Sequence, residues 1–156
     1  MKLTVFVLFI LCSFLQPKVA FTQLQTYQFE QIDSLQKIEK RTVVVFIHTD
    51  WCKYCQAMKN TTFSNKLIIE KLNKDFFFIN FNAEEKRRIT FNNQTFNYNP
   101  TGNNTGDHKL ATQLALINGK VAYPTLCFLN SKNEIIFQST DFKSKKEFER
   151  MLAILK

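Results

Sequence analysis

The sequence predicts an α/β fold, with a mixed central β-sheet and helices on both faces. Three observations carry this expectation. Val43–Ile47 and Phe76–Phe81 are short β-branched and aromatic runs, apolar but for Asn80, as in strands buried on both faces. Segments of helical periodicity precede, separate and follow them. The resulting order is helix, strand, helix, strand, helix, strand, strand, helix. Early βαβ alternation therefore gives way to a hairpin and a closing helix, which requires both parallel and antiparallel pairs. A chain of 156 residues suits one domain. Seventeen Phe against three Gly and three Pro exclude a fibrous or disordered chain.

Each element has its own signal. From Gln28 to Lys40, Phe29, Ile32, Leu35 and Ile38 recur at helical spacing. After Val43–Ile47, Thr49 or Asp50 is placed to cap a helix entered at Trp51 and Cys52, ending near Asn60–Thr62. Helix resumes after Ser64 with Leu67, Ile68 and Leu72 on one face. The stretch 82–107 is rich in Asn, Thr and Gly and is expected to be a long surface loop, with a short helix at about 83–89. Asp107 is placed to cap a helix carrying Leu110, Leu114 and Ile117, which Asn118-Gly119 ends. Val121–Leu129 reads as a strand interrupted by Pro124. Asn130–Asn133 turns the chain into a last strand, Glu134–Gln138. Ser144 and Glu147 form a capping box for a final helix, whose Phe148, Met151, Leu152 and Leu155 make one apolar stripe.

The N-terminal segment has a different logic. Met1-Lys2 precedes an uncharged run, Leu3–Leu15, as in a secretory signal. That run falls short of the roughly 20 residues of a comfortable membrane span. Ala20-Phe21-Thr22 places small residues at both cleavage positions. Residues 1–22 are therefore expected to be a signal peptide and residues 23–156 the domain. Leu11 is too large for a lipidation signal at Cys12. An uncleaved segment would tether the domain to the membrane. In both cases the domain is exported, periplasmic or secreted, where disulfides persist.

Trp51-Cys52-Lys53-Tyr54-Cys55 follows a buried strand and opens a helix. At spacing i, i+3 on a first helical turn the two sulfurs can bridge. The first sulfur faces the free N–H groups and positive dipole end of the helix, which stabilise a thiolate. Cys52 is therefore the candidate attacking sulfur, and Cys55, one turn deeper, the candidate resolving thiol. Trp51 is the candidate wall that shields the sulfur from water.

These residues resemble the thioredoxin superfamily, through Val43–Ile47, the Trp51–Cys55 motif and Tyr123-Pro124-Thr125 about seventy residues later. The resemblance covers nearly all of Phe29–Lys156. Asp50 to Phe63, with Met58, Lys59 and Thr62-Phe63, is most similar to small exported thioredoxins and the C-terminal domain of transmembrane thiol:disulfide interchange proteins. It implies the thioredoxin fold, a cis Pro124 lying against the cysteines, and a Tyr123 backbone edge that binds substrate. It also implies protein thiols and disulfides as substrates, an unidentified redox partner and no cofactor. The sequence departs from the family where thioredoxins bury an acid beneath the second cysteine, since Phe46 stands there. Lys53-Tyr54 replaces the Gly-Pro of typical thioredoxins, and no Gly-Gly-like loop follows the last strand.

Other readings stand beside this one. A Cys-x-x-Cys is also half of a zinc site, but zinc takes four ligands, and Cys127, His48 and His108 are not paired at ligand spacing. No metal is expected. A purely structural bridge closes too small a loop to stabilise much. Cys127, inside an apolar strand, reads as a buried thiol. His48 reads as a cover for the site's edge. The glycosylation triplets at Asn60, Asn93 and Asn103 are expected by chance in an Asn-rich chain. The formal charge is +8, or +6 without Lys2 and Lys18, and reads as a solvated basic face. Without a basic stripe interleaved with aromatics, no nucleic-acid partner is expected. A redox-inert binding module, or a chaperone using the 82–107 stretch, remains the alternative to an oxidoreductase.

Overall fold

The computed structural model describes residues 23–156; the expected signal peptide and Cys12 lie outside the described residues. In chain order the elements are α1 (Phe29–Ile38), β1 (Thr42–His48), α2 (Lys53–Thr61), α3 (Lys66–Asp75), β2 (Phe76–Asn82), β3 (Ile89–Phe91), β4 (Gln94–Phe96), β5 (Tyr98–Gly102), β6 (Thr105–His108), α4 (Lys109–Ala115), β7 (Leu116–Ile117), β8 (Lys120–Val121), β9 (Thr125–Leu129), β10 (Ile135–Thr140) and α5 (Lys145–Ile154). The main sheet has the order β10-β9-β1-β2. β1 runs parallel to β2 and antiparallel to β9, and β9 runs antiparallel to β10. The expected mixed sheet is therefore present.

Side chains alternate across a strand, so each central strand feeds two cores. Val43, Val45 and Ile47 of β1 face one way, with Phe77, Ile79 and Phe81 of β2, and pack under α1 and α4. Val44 and Phe46 face the other way, with Phe76, Phe78, Leu126 and Phe128, and pack under α2, α3 and α5. Strands this apolar on both faces need helices on both faces. The closing helix α5 starts with the expected capping box, the Ser144 amide donating to Glu147 Oε2 at 2.9 Å. It is held by Phe148, which is fully buried with its ring edge-on to Phe63. Truncating a ring so placed costs about 3–5 kcal/mol.

Several expectations are corrected. The stretch expected to be a short helix and an irregular loop forms two antiparallel hairpins, β3–β4 and β5–β6. Ile89, Phe91 and Phe96 anchor the first of them in the core under α1. Asn118-Gly119 does not merely end a helix. It turns the tiny β7–β8 hairpin, both residues having positive φ. Ile117 accordingly belongs to β7 rather than α4. Val121 lies in β8, so the core strand begins only after Pro124, at Thr125. The last strand starts one residue later than expected and reaches Thr140. Ile38 and Leu67, read as core, are exposed at the ends of their helices.

Candidate active site

β1 lies between β9 and β2, so its C-terminal end opens at the middle of the sheet. The chain leaves β1 at His48, turns through Thr49–Trp51 and enters α2. The helix is not capped by Thr49 or Asp50 as expected. Cys52 is itself the N-cap, with extended backbone, and its Sγ accepts the Cys55 amide at 3.1 Å. The first sulfur thus sits where an N-cap oxygen normally would, satisfying one of the free donors of the first turn. Cys52 and Cys55 form a disulfide. Cys52 is 5% exposed and Cys55 fully buried, so of the two residues only the first retains any exposure.

The other expected residues gather at the same end. β9 pairs antiparallel with β1, with Thr125 opposite Ile47. That register brings the residues just before Thr125 to the end of β1 where the cysteines lie. The Tyr123–Pro124 peptide is cis, and Pro124 is buried. Tyr123 packs against the cluster that holds both cysteines. Trp51 is 69% exposed and meets the Tyr123 ring edge-on, 6.5 Å between centroids. Cys127 is buried within β9, where burial pushes its thiol up to about 12 and keeps it protonated.

Beneath the pair the floor is apolar. Phe46, fully buried, packs edge-on to Phe63 at 4.6 Å and stacks on His48 at 5.4 Å. His48 does not cover an edge, as expected from the sequence; it is 4% exposed. Burial, and then the Lys59 charge, push its pKa down to about 4, so it is neutral at pH 7. Lys59 Nζ lies 3.2 Å from His48 Nδ1, and its own pKa is lowered by burial. A polar cavity of about 270 Å³ opens beside these two residues, with Asn80, Asn82 and Glu85 on its walls. A second cavity, about 520 Å³, lies at the opposite end of the sheet between Arg41, Lys74 and Asn130, away from the cysteines.

Residues not anticipated from the sequence complete the rim. Trp51 Nε1 donates to Glu84 Oε1 at 3.1 Å, and the Tyr123 hydroxyl donates to Asp107 Oδ1 at 3.0 Å. Asn82 Nδ2 donates to Asp50 Oδ2 at 3.1 Å. Asp107 is thus no helix cap; His108 caps α4, its Nδ1 accepting the Leu110 amide. No sequence signal marks Glu84, because its partner lies 33 residues away.

The family model of the thioredoxin-like domain matches residues 28–156. The chain belongs to that family. No curated protein matches it. Solved thioredoxin-like structures share its fold. A DsbH oxidoreductase is 12% identical, with a TM-score of 0.63 over 90% of this chain and 89% of that one. A thioredoxin from Thermus thermophilus is 20% identical, with a TM-score of 0.59 over 85% and 86%. The reduced DsbD C-terminal domain from Neisseria meningitidis is 16% identical, with a TM-score of 0.53 over 81% and 92%. With this domain and a Cys52–Cys55 disulfide at the helix entrance, the chain is a thiol–disulfide oxidoreductase. Among the described residues, no group of His, Cys, Asp and Glu could hold a metal ion.

Proposed function

We propose that the protein is an exported oxidoreductase that exchanges disulfides with protein substrates, Cys52 attacking and Cys55 resolving. One observation carries the reading: of two bridged cysteines at a helix entrance, Cys52 alone retains any exposure, and its sulfur receives the helix's free amide. In the reductive direction the Cys52 thiolate attacks a substrate disulfide. A mixed disulfide forms and one substrate thiolate leaves. The Cys55 thiolate then attacks Cys52 Sγ, which re-forms the Cys52–Cys55 bond and releases the second substrate thiolate. Two electrons pass to the substrate, and a separate redox partner supplies two more to re-reduce the pair. Run backwards, the same steps oxidise a substrate dithiol. Trp51, Tyr123 and Pro124, gathered at the same end of the sheet as the pair, are assigned to substrate binding.

Protein substrates suit the exposed aromatic rim, and one structural neighbour is itself described as an oxidoreductase. Export is supported by the charged start and apolar run before Gln23. Among the described residues no helix is long and apolar enough to cross a membrane. The test is insulin-disulfide reduction by the purified chain with dithiothreitol as reductant, joined to trapping in cells. Cys55→Ser should accumulate mixed disulfides with partner proteins, and Cys52→Ser few. The reverse pattern would exchange the two roles, and an inactive wild type would leave a redox-inert binding module. Adducts recovered only from the cytosol would remove export.

A further inference from the structure

The insert between β2 and α4 reaches the site at two points. Glu84, in the turn after β2, accepts the Trp51 indole N–H at 3.1 Å. Asp107, on β6, accepts the Tyr123 hydroxyl at 3.0 Å. Both aromatics border the cysteines, and both are held from behind by carboxylates of this one insert. The carboxylates are themselves fixed. The Glu84 amide donates to Asn82 Oδ1 at 3.0 Å, and Asp107 pairs with Asn99 in the β5–β6 ladder. Backbone bonds of 2.7 Å tie Ala83 N–H to the His48 carbonyl and His108 N–H to the Ala83 carbonyl, fastening the insert to the end of β1.

An indole as exposed as Trp51 would otherwise sample several rotamers, and ordering it on binding would weaken the encounter. Burial raises the Tyr123 phenol pKa, and Asp107 raises it further, so its hydroxyl stays a donor. The two rings meet edge-on and so form one wall.

We propose that Glu84 and Asp107 are positioning residues for protein substrates: they lock Trp51 and Tyr123 into a preformed wall against which the substrate chain lies. This rests on the oxidoreductase reading and deepens it. A small disulfide needs only the sulfur, whereas a polypeptide also needs the wall. The two carboxylates therefore set a preference for protein disulfides rather than the chemistry at Cys52.

The test uses the full chain with dithiothreitol as reductant and two substrates, insulin and hydroxyethyl disulfide. Glu84→Ala and Asp107→Ala should lower the insulin-to-small-disulfide ratio of kcat/KM about three- to tenfold, mainly through KM for insulin. Glu84→Gln and Asp107→Asn keep an accepting oxygen and should restore most of it. Trp51 is the sole tryptophan, so its fluorescence anisotropy reports the lock directly. It should fall in Glu84→Ala and recover in Glu84→Gln. An unchanged substrate ratio, or an equal loss on both substrates, would overturn the proposal while leaving the oxidoreductase reading intact. A wild type that reduces neither substrate would overturn both.

Discussion

At the scale of single residues, Phe46 sets the character of the site. A carboxylate at that position would lie buried on the same face as the cysteines; the ring there is fully buried instead, between Phe63 and a neutral His48. That position therefore supplies no anionic base beneath Cys55. On the opposite side the Cys55 amide and the Lys53 charge both favour a Cys52 thiolate. Stabilising the thiolate stabilises the reduced pair, which makes the disulfide the stronger oxidant. The expected potential is thus less negative than the roughly −270 mV of thioredoxin, and Lys53→Glu should move it in the negative direction. Equilibration with glutathione measures both. A wild-type value at or below thioredoxin's would show that these residues do not govern the poise. The sequence was legible here where the chemistry is local: Trp51, Cys52 and Cys55 lie within five consecutive residues, and Pro124 stands before an apolar strand. It was illegible where a bond spans the chain. Glu84, Asp107 and Lys59 acquire meaning from partners 33, 16 and 11 residues away.

At the scale of elements, the two hairpins of the insert were hidden by their own composition. Asn-rich sequence reads as loop, yet Asn also tolerates the left-handed backbone that tight turns require. Asn92 and Asn93 both have positive φ at the tip between β3 and β4, and Asn104 does so between β5 and β6. The alternation of Ile89 and Phe91 with Thr90 was the overlooked strand signal, since the first two are buried and the third exposed. The β5–β6 hairpin depends on a close approach at Gly106. A Cβ there would stand 2.5 Å from the Asn99 carbonyl and 2.6 Å from the Tyr98 hydroxyl. The end of the Tyr98 side chain can swing aside, but the Asn99 backbone oxygen cannot yield without opening the ladder that carries Asp107. Gly106→Ala is therefore expected to cost about 1–3 kcal/mol by urea unfolding. It should also raise KM for insulin as Asp107→Ala does. A variant as stable as wild type, with unchanged kinetics, would show that the ladder does not need this glycine.

At the scale of the whole molecule, the fold was readable because every central strand is apolar on both faces, which leaves few alternatives to helices on each side. What the pattern could not disclose is the polar group sealed between β1 and α2. His48 is neutral in the folded protein, its pKa pushed down to about 4 by burial and then by Lys59, whereas in the unfolded chain it titrates near 6.5. Well above pH 6.5 it is neutral in both states and adds no pH dependence. Below that, the unfolded chain takes up the proton first, so stability falls with pH until the folded state also protonates near pH 4. The full loss is about 3 kcal/mol, a large share of a small domain's stability. His108, also lowered by burial, works in the same direction. Glu39, Glu147 and Glu149, all with lowered pKa values, extend the trend below pH 4.5, where protonation takes away their hydrogen bonds to Arg41, Ser144 and Lys71. Urea titrations between pH 7 and pH 4 should thus show a steady decline, and His48→Gln should remove more than half of its slope. Equal slopes in the two proteins would mean that His48 takes up its proton without opposition from its surroundings, and a neutral His48 beside the Lys59 charge would have to be abandoned.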